Sequence, residues 1–164
     1  KSCCIGKGMN TISLIKETDK IVQKTIQEYE KEYGTEPKDR VVWCVFDKDS
    51  FSASNFGNAI NKAKAKGYKV AYSNEAFELW YLLHFYYYDM ALCRDDYKVK
   101  LTELLKRKYQ KNDPSMYEIL LNRQKEAIKN AQKLLAKYIP VNPNKDNPST
   151  TVFELVEYLN QFIH

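Results

Sequence analysis

Hydrophobic residues in the first half of the chain alternate between helical and strand-like spacing. Apolar positions recur at helical intervals over residues 10–34, which predicts an amphipathic helix of about six turns. The continuous apolar run at residues 41–46 predicts a strand buried on both faces, and residues 68–72 predict a second strand. A helix over residues 55–66, ended by Gly67, lies between them. This order predicts a parallel pair of strands with a right-handed crossover.

From residue 75 onward the pattern is helical. Three helices are predicted, over residues 76–87, 96–111 and 115–138. A segment with three prolines at residues 140–148 separates them from a last helix, which opens at Thr151 with Glu154 at capping-box spacing and runs to residue 163. The sequence therefore predicts an α/β core over residues 1–90 and a basic helical part over residues 91–164 that packs on it.

The predicted sheet is small for the helices around it. Residues 2–6 predict one more short strand, but two or three parallel strands cannot bury both faces of a sheet under this many helices. We therefore expect a further strand upstream of Lys1, which stands where a complete gene product would have Met.

Composition excludes several classes of protein. The chain has 164 residues, enough for one domain, and no apolar run approaches the roughly 18 residues of a membrane span. No secretory signal is present, and four cysteines without a CxxC pair favour a reduced, cytoplasmic protein. Two histidines and scattered cysteines support neither a zinc site nor a Ser-His-Asp triad, and no glycine-rich phosphate loop is present.

The basic charge lies mainly in the helical second half. The net charge is +5, and residues 98–137 hold 11 Lys+Arg against 4 Asp+Glu, with Lys106, Arg107 and Lys108 at the densest point. Basic groups interleaved with tyrosines suit a phosphate backbone and unstacked bases. A solvated helix face is the alternative interpretation.

Two carboxylates follow the first predicted strand of the parallel pair. Asp47 and Asp49 come directly after residues 41–46, and ligands of open parallel sheets bind at the carboxyl ends of strands. Two acidic side chains on one tight loop can both reach a hard cation such as Mg²⁺. Aspartates are also common in ordinary post-strand turns, so this pair alone is a weak signal.

A second polar group follows the next strand. Ser73, Asn74, Glu75 and Glu78 are expected beside the Asp47 loop because adjacent parallel strands end side by side. Helix capping explains Ser73 and Glu75 at least as well, whereas Glu78 suits either a site or a helix terminus. His84 is interpreted as a hydrogen-bonded core histidine, and a nucleic-acid contact is the alternative.

These spaced motifs resemble the RloB family. The resemblance rests on residues 43–49, Asn55, Phe56, Ala59, residues 73–85 and residues 147–152. It implies a Toprim-like fold, a parallel sheet flanked by helices, whose members bind Mg²⁺ and cut or rejoin nucleic acid. It also implies a bacterial anti-phage defence locus and a partner ATPase of the AAA or ABC type.

The resemblance has two departures. Asp47 and Asp49 match the DxD motif of a Toprim site, but the glutamate that accompanies this motif is expected upstream of Lys1. Glu75 stands where the family usually has proline after Ser-Asn, which predicts a less rigid loop.

The resemblance and the residues together predict a nuclease that depends on Mg²⁺ or Mn²⁺. Asp47 and Asp49 are expected to hold the metal, and Glu78 to add a ligand or act as general base. The predicted substrate-binding residues are Ser73, Asn74, Lys48, Lys106, Arg107 and Lys108. RNA, with tRNA as one candidate, is preferred over DNA on family analogy.

Two other functions are left open, as is homo-oligomerisation. The chain could be a non-catalytic regulatory or scaffold subunit that docks on the ATPase through the aromatic helix at residues 76–88. It could also be a phosphotransferase acting on a small nucleotide.

Overall fold

The computed structural model describes residues 11–49 and 51–162, in which helices surround a small sheet. The elements are α1 Thr11–Tyr33, β1 Trp43–Asp47, α2 Ala53–Ala65, β2 Lys69–Asn74, α3 Glu78–Leu83, α4 Arg94–Leu105, α5 Met116–Leu121, α6 Gln124–Leu135, β3 Ser149–Thr150 and α7 Val152–Asn160. The strand predicted at residues 2–6 lies outside the described residues. No helix in the described ranges is long and apolar enough to cross a bilayer.

The described sheet has the order β1-β2-β3 and is mixed. Strands β1 and β2 pair in parallel across the α2 crossover, with Cys44 opposite Val70 and Asp47 opposite Ser73, as the sequence predicts. Strand β3 pairs antiparallel with β2 through Ser73–Thr150 and Asn74–Ser149. The α/β class is therefore confirmed, whereas a Toprim-like parallel sheet is not.

The short strand β3 has no counterpart among the predicted elements. It consists of Ser149 and Thr150, and it follows the proline-rich segment that we interpreted only as a linker. The next residue extends the pairing through its side chain, since the Thr151 hydroxyl accepts from the backbone N–H of Tyr72 and donates to the carbonyl of Val70. Thr151 therefore binds the strand instead of forming the predicted capping box with Glu154.

Each face of the sheet has its own helices. Helices α1 and α2 cover one face with Ile15, Phe56 and Ile60, which cluster with Cys44 and Tyr72. Helices α3, α6 and α7 cover the other face in a cluster that includes Leu79, Leu82, Ala131, Leu134 and Phe153. Helices α6 and α7 of the second half thus contribute to this cluster, and the division into a core at residues 1–90 and a helical part at residues 91–164 stays a prediction.

Strand β1 is not buried on both faces. Cys44 is buried, but Val45 keeps 41% of its surface exposed. The reason is its position, because β1 pairs with β2 along one edge and has no other strand partner among the described residues. A continuous apolar run is therefore compatible with an edge strand whose outer side is only partly covered.

Three predicted helices are shorter than expected. Helix α3 ends at Leu83, and the following irregular segment still buries Tyr88. Helix α4 ends at Leu105 because Lys106 adopts a left-handed conformation with φ 52°. The long helix at residues 115–138 is divided into α5 and α6 at Arg123, whose N–H bonds the carbonyl of Leu120 at three-residue spacing.

Candidate metal and phosphate site

The Asp47–Asp49 loop is fastened to the end of the neighbouring strand. The backbone N–H of Lys48 donates to the carbonyl of Ser73 at 2.9 Å, and that of Asp49 donates to the carbonyl of Glu75 at 2.9 Å. Asp49 has φ 48°, a left-handed conformation that aspartate tolerates better than most residues. The loop therefore continues the parallel pairing beyond β1 and turns both carboxylates to one side.

Both carboxylates converge on one guanidinium. Arg94, the first residue of α4, places Nη2 at 2.9 Å from Asp47 Oδ2 and Nη1 at 3.0 Å from Asp49 Oδ2. Burial raises the pKa of Asp47 above its ordinary range, the Arg94 charge opposes that shift, and the nearby Asp49 adds to it. The site is thus a pair of mutually repelling acids held together by a cation from a distant part of the sequence.

Glu78 lies across a small cavity from Asp47. It is the first residue of α3, only 3% exposed, and its Oε1 accepts a hydrogen bond from the Tyr109 hydroxyl at 3.2 Å. The cavity has a volume of about 220 Å³, and its lining residues are Asp47, Phe77, Glu78, Tyr81, Tyr109, Lys111 and Asn112. The expected proximity of Asp47 and Glu78 is therefore observed, and the role of each stays a prediction.

Three residues at this site were absent from the predicted set. Arg94, Tyr109 and Lys111 supply a bridging cation, a hydroxyl that orients Glu78 and an exposed ammonium at the cavity. Lys111 belongs to the basic stretch that the sequence shows. Nothing local distinguishes Arg94 or Tyr109, because their proximity to Asp47 and Glu78 depends on how the helical half folds back.

Ser73 and Asn74, predicted to bind substrate, are engaged inside the protein. Both are essentially inaccessible, at 1% and 0% exposed. The Ser73 hydroxyl lies 2.9 Å from that of Thr150, and the Asn74 amide donates to the carbonyls of Pro143 and Asp146. Their observed contacts are structural, and phosphate binding by these two side chains stays an untested prediction.

The predicted basic residues occupy different settings. Arg107 is held by Asp113 and by the Ser115 hydroxyl, at 2.6 and 2.9 Å, so its charge is already paired. Lys106 and Lys108 are exposed, and Lys48 is half-buried on the Asp47 loop. The two exposed lysines precede Tyr109 in the sequence and remain available to a polyanion.

His84 is a core residue, as the sequence favoured. It is buried, its Nδ1 donates to the Trp80 carbonyl at 2.8 Å, and its ring packs edge-on against the Trp80 ring. Burial lowers the pKa of His84, so the neutral imidazole is favoured.

The aromatic segment that we considered as a docking surface is mostly internal. Trp80 and Tyr88 are buried in the main hydrophobic cluster, and Tyr86 is the one large exposed aromatic of residues 76–88. The ATPase partner stays a prediction, without an aromatic face on this segment to favour it.

A larger cleft of about 740 Å³ lies elsewhere, where the strands begin. Its aromatic walls, Trp43 and Tyr158, are occupied by Lys69, whose Nζ lies 5.3 and 4.7 Å from the two ring centroids. We place the candidate site at the smaller cavity, because carboxylates converge there at the carboxyl ends of parallel strands.

Metal-ligating side chains were sought across residues 11–49 and 51–162. No group of three or more His, Cys, Asp or Glu side chains is arranged there to hold a metal ion. The donor set is therefore the Asp47–Asp49 pair alone. This suits Mg²⁺ better than zinc, since Mg²⁺ is often bound through one or two carboxylates and keeps several waters.

Comparison with known protein families identifies the chain. A family model described as "RloB-like protein" matches residues 5–159, nearly the whole chain. No curated protein matches the chain. No solved structure matches it either.

Proposed function

The chain belongs to the RloB-like family, and from this premise we propose that it is a metal-dependent nuclease of a bacterial anti-phage defence system. Its proposed substrate is nucleic acid, with RNA, including tRNA, preferred over DNA on the family analogy stated above. The proposed cofactor is Mg²⁺ or Mn²⁺, and an ATPase of the same locus is a proposed partner.

One observation carries this proposal. Asp47 and Asp49 direct an oxygen each at the same cation, with Nη distances of 2.9 and 3.0 Å to Arg94, at the carboxyl end of a parallel strand. The guanidinium is a stand-in that marks where the pair attracts positive charge. Two convergent carboxylates fit a hard divalent ion, whose remaining positions water and phosphate oxygens can fill.

The residues around the cavity fit phosphodiester hydrolysis. A divalent ion held by Asp47 and Asp49 would supply Lewis-acid chemistry at the scissile phosphate. Glu78, fixed by the Tyr109 hydroxyl, is placed to accept a proton from an attacking water. Lys111 supplies a positive charge at the cavity for a phosphate oxygen.

The exposed lysines of the helical half support binding of a polyanion. Lys106 and Lys108 lie on the surface on the N-terminal side of Tyr109, which itself lines the cavity. Contacts between lysines and phosphates release counterions, so binding should weaken steeply as salt is raised.

The test is a cleavage assay on mixed tRNA and on DNA with Mg²⁺ or Mn²⁺. We expect metal-dependent cutting that Asp47→Asn reduces at least about 10³-fold, because a carboxylate ligand to the ion is lost. Asp39→Asn, which removes an exposed carboxylate in the loop before β1, is the matched control and should cut like the wild type. If Asp47→Asn cut nucleic acid as fast as the wild type, the proposed site would be contradicted.

Absence of cutting in every variant would contradict the nuclease itself. If nucleic acid still bound in a salt-dependent way, the non-catalytic subunit would become the better account. Activity on mononucleotides but not on polymers would instead indicate a phosphotransferase.

A further inference from the structure

Arg94 divides its guanidinium between two carboxylates. Nη2 contacts Asp47 and Nη1 contacts Asp49, whereas Nε is buried and has no hydrogen-bond partner. An Arg–carboxylate pair is strongest when two parallel N–H groups bind one carboxylate. Arg94 instead uses one Nη group for each carboxylate. Neither acid is therefore bound by two parallel N–H groups, and the Nε–H donor stays unused.

The acidic pair needs a cation whether or not a metal is bound. Asp47 and Asp49 are close enough that the charge of one opposes ionisation of the other, and Asp47 is half-buried. Arg94 meets that need in the described structure through Oδ2 of both residues. A divalent ion that used these oxygens would need the same position, so the guanidinium and the ion exclude one another.

Arg94 lies where an irregular segment meets a helix. Residues 84–93 contain neither helix nor strand, and Arg94 is the first residue of α4. The backbone at this point is anchored, since Cys93 Sγ donates to the Asp96 carboxylate at 3.0 Å and Tyr97 is fully buried. Displacement of the guanidinium therefore requires a movement of the long Arg94 side chain and not of the helix.

We infer that Arg94 is an internal counter-ion of the Asp47–Asp49 pair, which a divalent cation must displace, and that Arg94 thereby sets the metal affinity of the site. The inference rests on the proposed function for the identity of the site. In the metal-free protein Arg94 holds the two carboxylates in place, and this ion pair lowers the affinity of the site for a divalent cation.

The first experiment is a titration with Mn²⁺ alone, followed by calorimetry, on the full chain. We expect Arg94→Met to bind Mn²⁺ at least about tenfold more tightly than the wild type, because a charge-assisted competitor is removed. Arg94→Lys, which keeps the charge but cannot span both acids, should show a smaller gain. Arg40→Met is the matched control, since Arg40 is exposed and forms an ion pair with the exposed Glu36, away from the acidic pair.

Equal or weaker binding by Arg94→Met would overturn the inference while leaving the metal site intact. Loss of Mn²⁺ binding in Asp47→Asn identifies the site in the same titration. If Mn²⁺ binds neither the wild type nor Arg94→Met, the proposed function and this inference both fail. These outcomes separate the two claims.

A second experiment needs no Arg94 variant and therefore does not depend on one folding. Phenylglyoxal labels accessible guanidinium groups, and mass spectrometry reports the labelling of each arginine. We expect saturating Mn²⁺ to increase labelling of Arg94 in the wild type, and Asp49→Asn to increase it without metal. If bound Mn²⁺ left the phenylglyoxal labelling of Arg94 unchanged, the proposed displacement would be overturned.

Discussion

Two clusters of polar side chains end neighbouring strands of the same sheet, yet they differ in almost every physical property. At the end of β1, Asp47 and Asp49 are charged, partly exposed and bound to Arg94 beside a cavity. At the end of β2, Ser73 and Asn74 are neutral, buried and enclosed by hydrogen bonds. Both look alike in the sequence, as short polar stretches that follow an apolar run.

The difference comes from what the rest of the chain brings to each strand end. Strand β2 is covered by residues 143–151, whose carbonyls accept from the Asn74 Nδ2 group and whose Thr150 hydroxyl pairs with that of Ser73, although the buried Asn74 Oδ1 has no partner among the described residues. The end of β1 receives the guanidinium of Arg94 and borders an open cavity, to which the helical half contributes Tyr109 and Lys111. Neutral polar groups can be buried once hydrogen-bonded, whereas a carboxylate pair is costly to bury even with a partner. Polar residues after a strand therefore indicate a site only where the later chain leaves them open.

The largest effect should come from breaking the buried cluster at Asn74. Asn74→Ala removes both N–H groups of the amide, so the half-buried Pro143 carbonyl loses its Asn74 donor and the buried Asp146 carbonyl keeps the Ser149 hydroxyl but loses Asn74. We expect the free energy of unfolding, measured with urea and circular dichroism, to fall by about 3 kcal/mol. Binding of Mn²⁺ by the folded fraction should not change.

The corresponding variant at the end of β1 is Asp49→Asn. Asparagine also tolerates the left-handed conformation at this position, and only a half-exposed ion pair with Arg94 is lost. We expect a loss of stability of about 1 kcal/mol or less together with weak Mn²⁺ binding. If Asp49→Asn lost as much stability as Asn74→Ala, the proposed difference between the two clusters would be contradicted.

A loss smaller than that of Asn74→Ala but larger than that of Asp49→Asn is expected from Thr150→Val, which deletes a hydroxyl but keeps the shape of the side chain. That hydroxyl contacts the Tyr72 carbonyl, the Ser73 hydroxyl and the N–H of Val152, all inside the protein. We expect the free energy of unfolding to fall by about 1–2 kcal/mol. Thr25→Val, on the exposed side of α1, deletes a hydroxyl that bonds the Ile21 carbonyl in solvent and should change it little. Equal losses in both variants would show that burial is not the cause.

The sequence predicts the local elements of this protein well and its long-range contacts poorly. The helix at residues 10–34 and the parallel pair around α2 follow from periodicity and from residues such as Gly67, whose φ of 75° ends that helix as predicted. Strand β3 could not be predicted, because its two residues have no periodicity and become a strand only by pairing with β2.

The candidate site shows the same limit. Strand-end topology was enough to predict that Glu78 lies near Asp47, since both follow adjacent parallel strands. It could not predict that Asn74 would be enclosed or that Arg94 would bridge the acids, because both depend on segments from the helical half. Contacts between neighbouring strand ends could be predicted from the sequence, whereas contacts between residues 47 and 72 positions apart could not.

The smallest effect, and the sharpest distinction between the clusters, is the pH dependence of stability. Burial raises the pKa of Asp47 above its ordinary value of 3.8, Arg94 opposes the shift, and Asp49 adds to it. The folded protein therefore binds this proton more tightly than the unfolded chain, so the contribution of Asp47 to stability falls as pH rises from 3.8 through the folded-state pKa.

Urea unfolding between pH 3.5 and 7 tests this sign. Asp47→Asn cannot ionise, so its stability relative to the wild type should improve across that window and then stay constant. Thr150→Val changes no titratable group, so its deficit relative to the wild type should be the same at every pH. If the stability of Asp47→Asn relative to the wild type instead decreased as pH rises, Arg94 would outweigh burial. Asp47 and Arg94 would then form a stabilising ion pair. The contrast between a destabilising charged cluster at the end of β1 and a stabilising neutral cluster at the end of β2 would no longer hold.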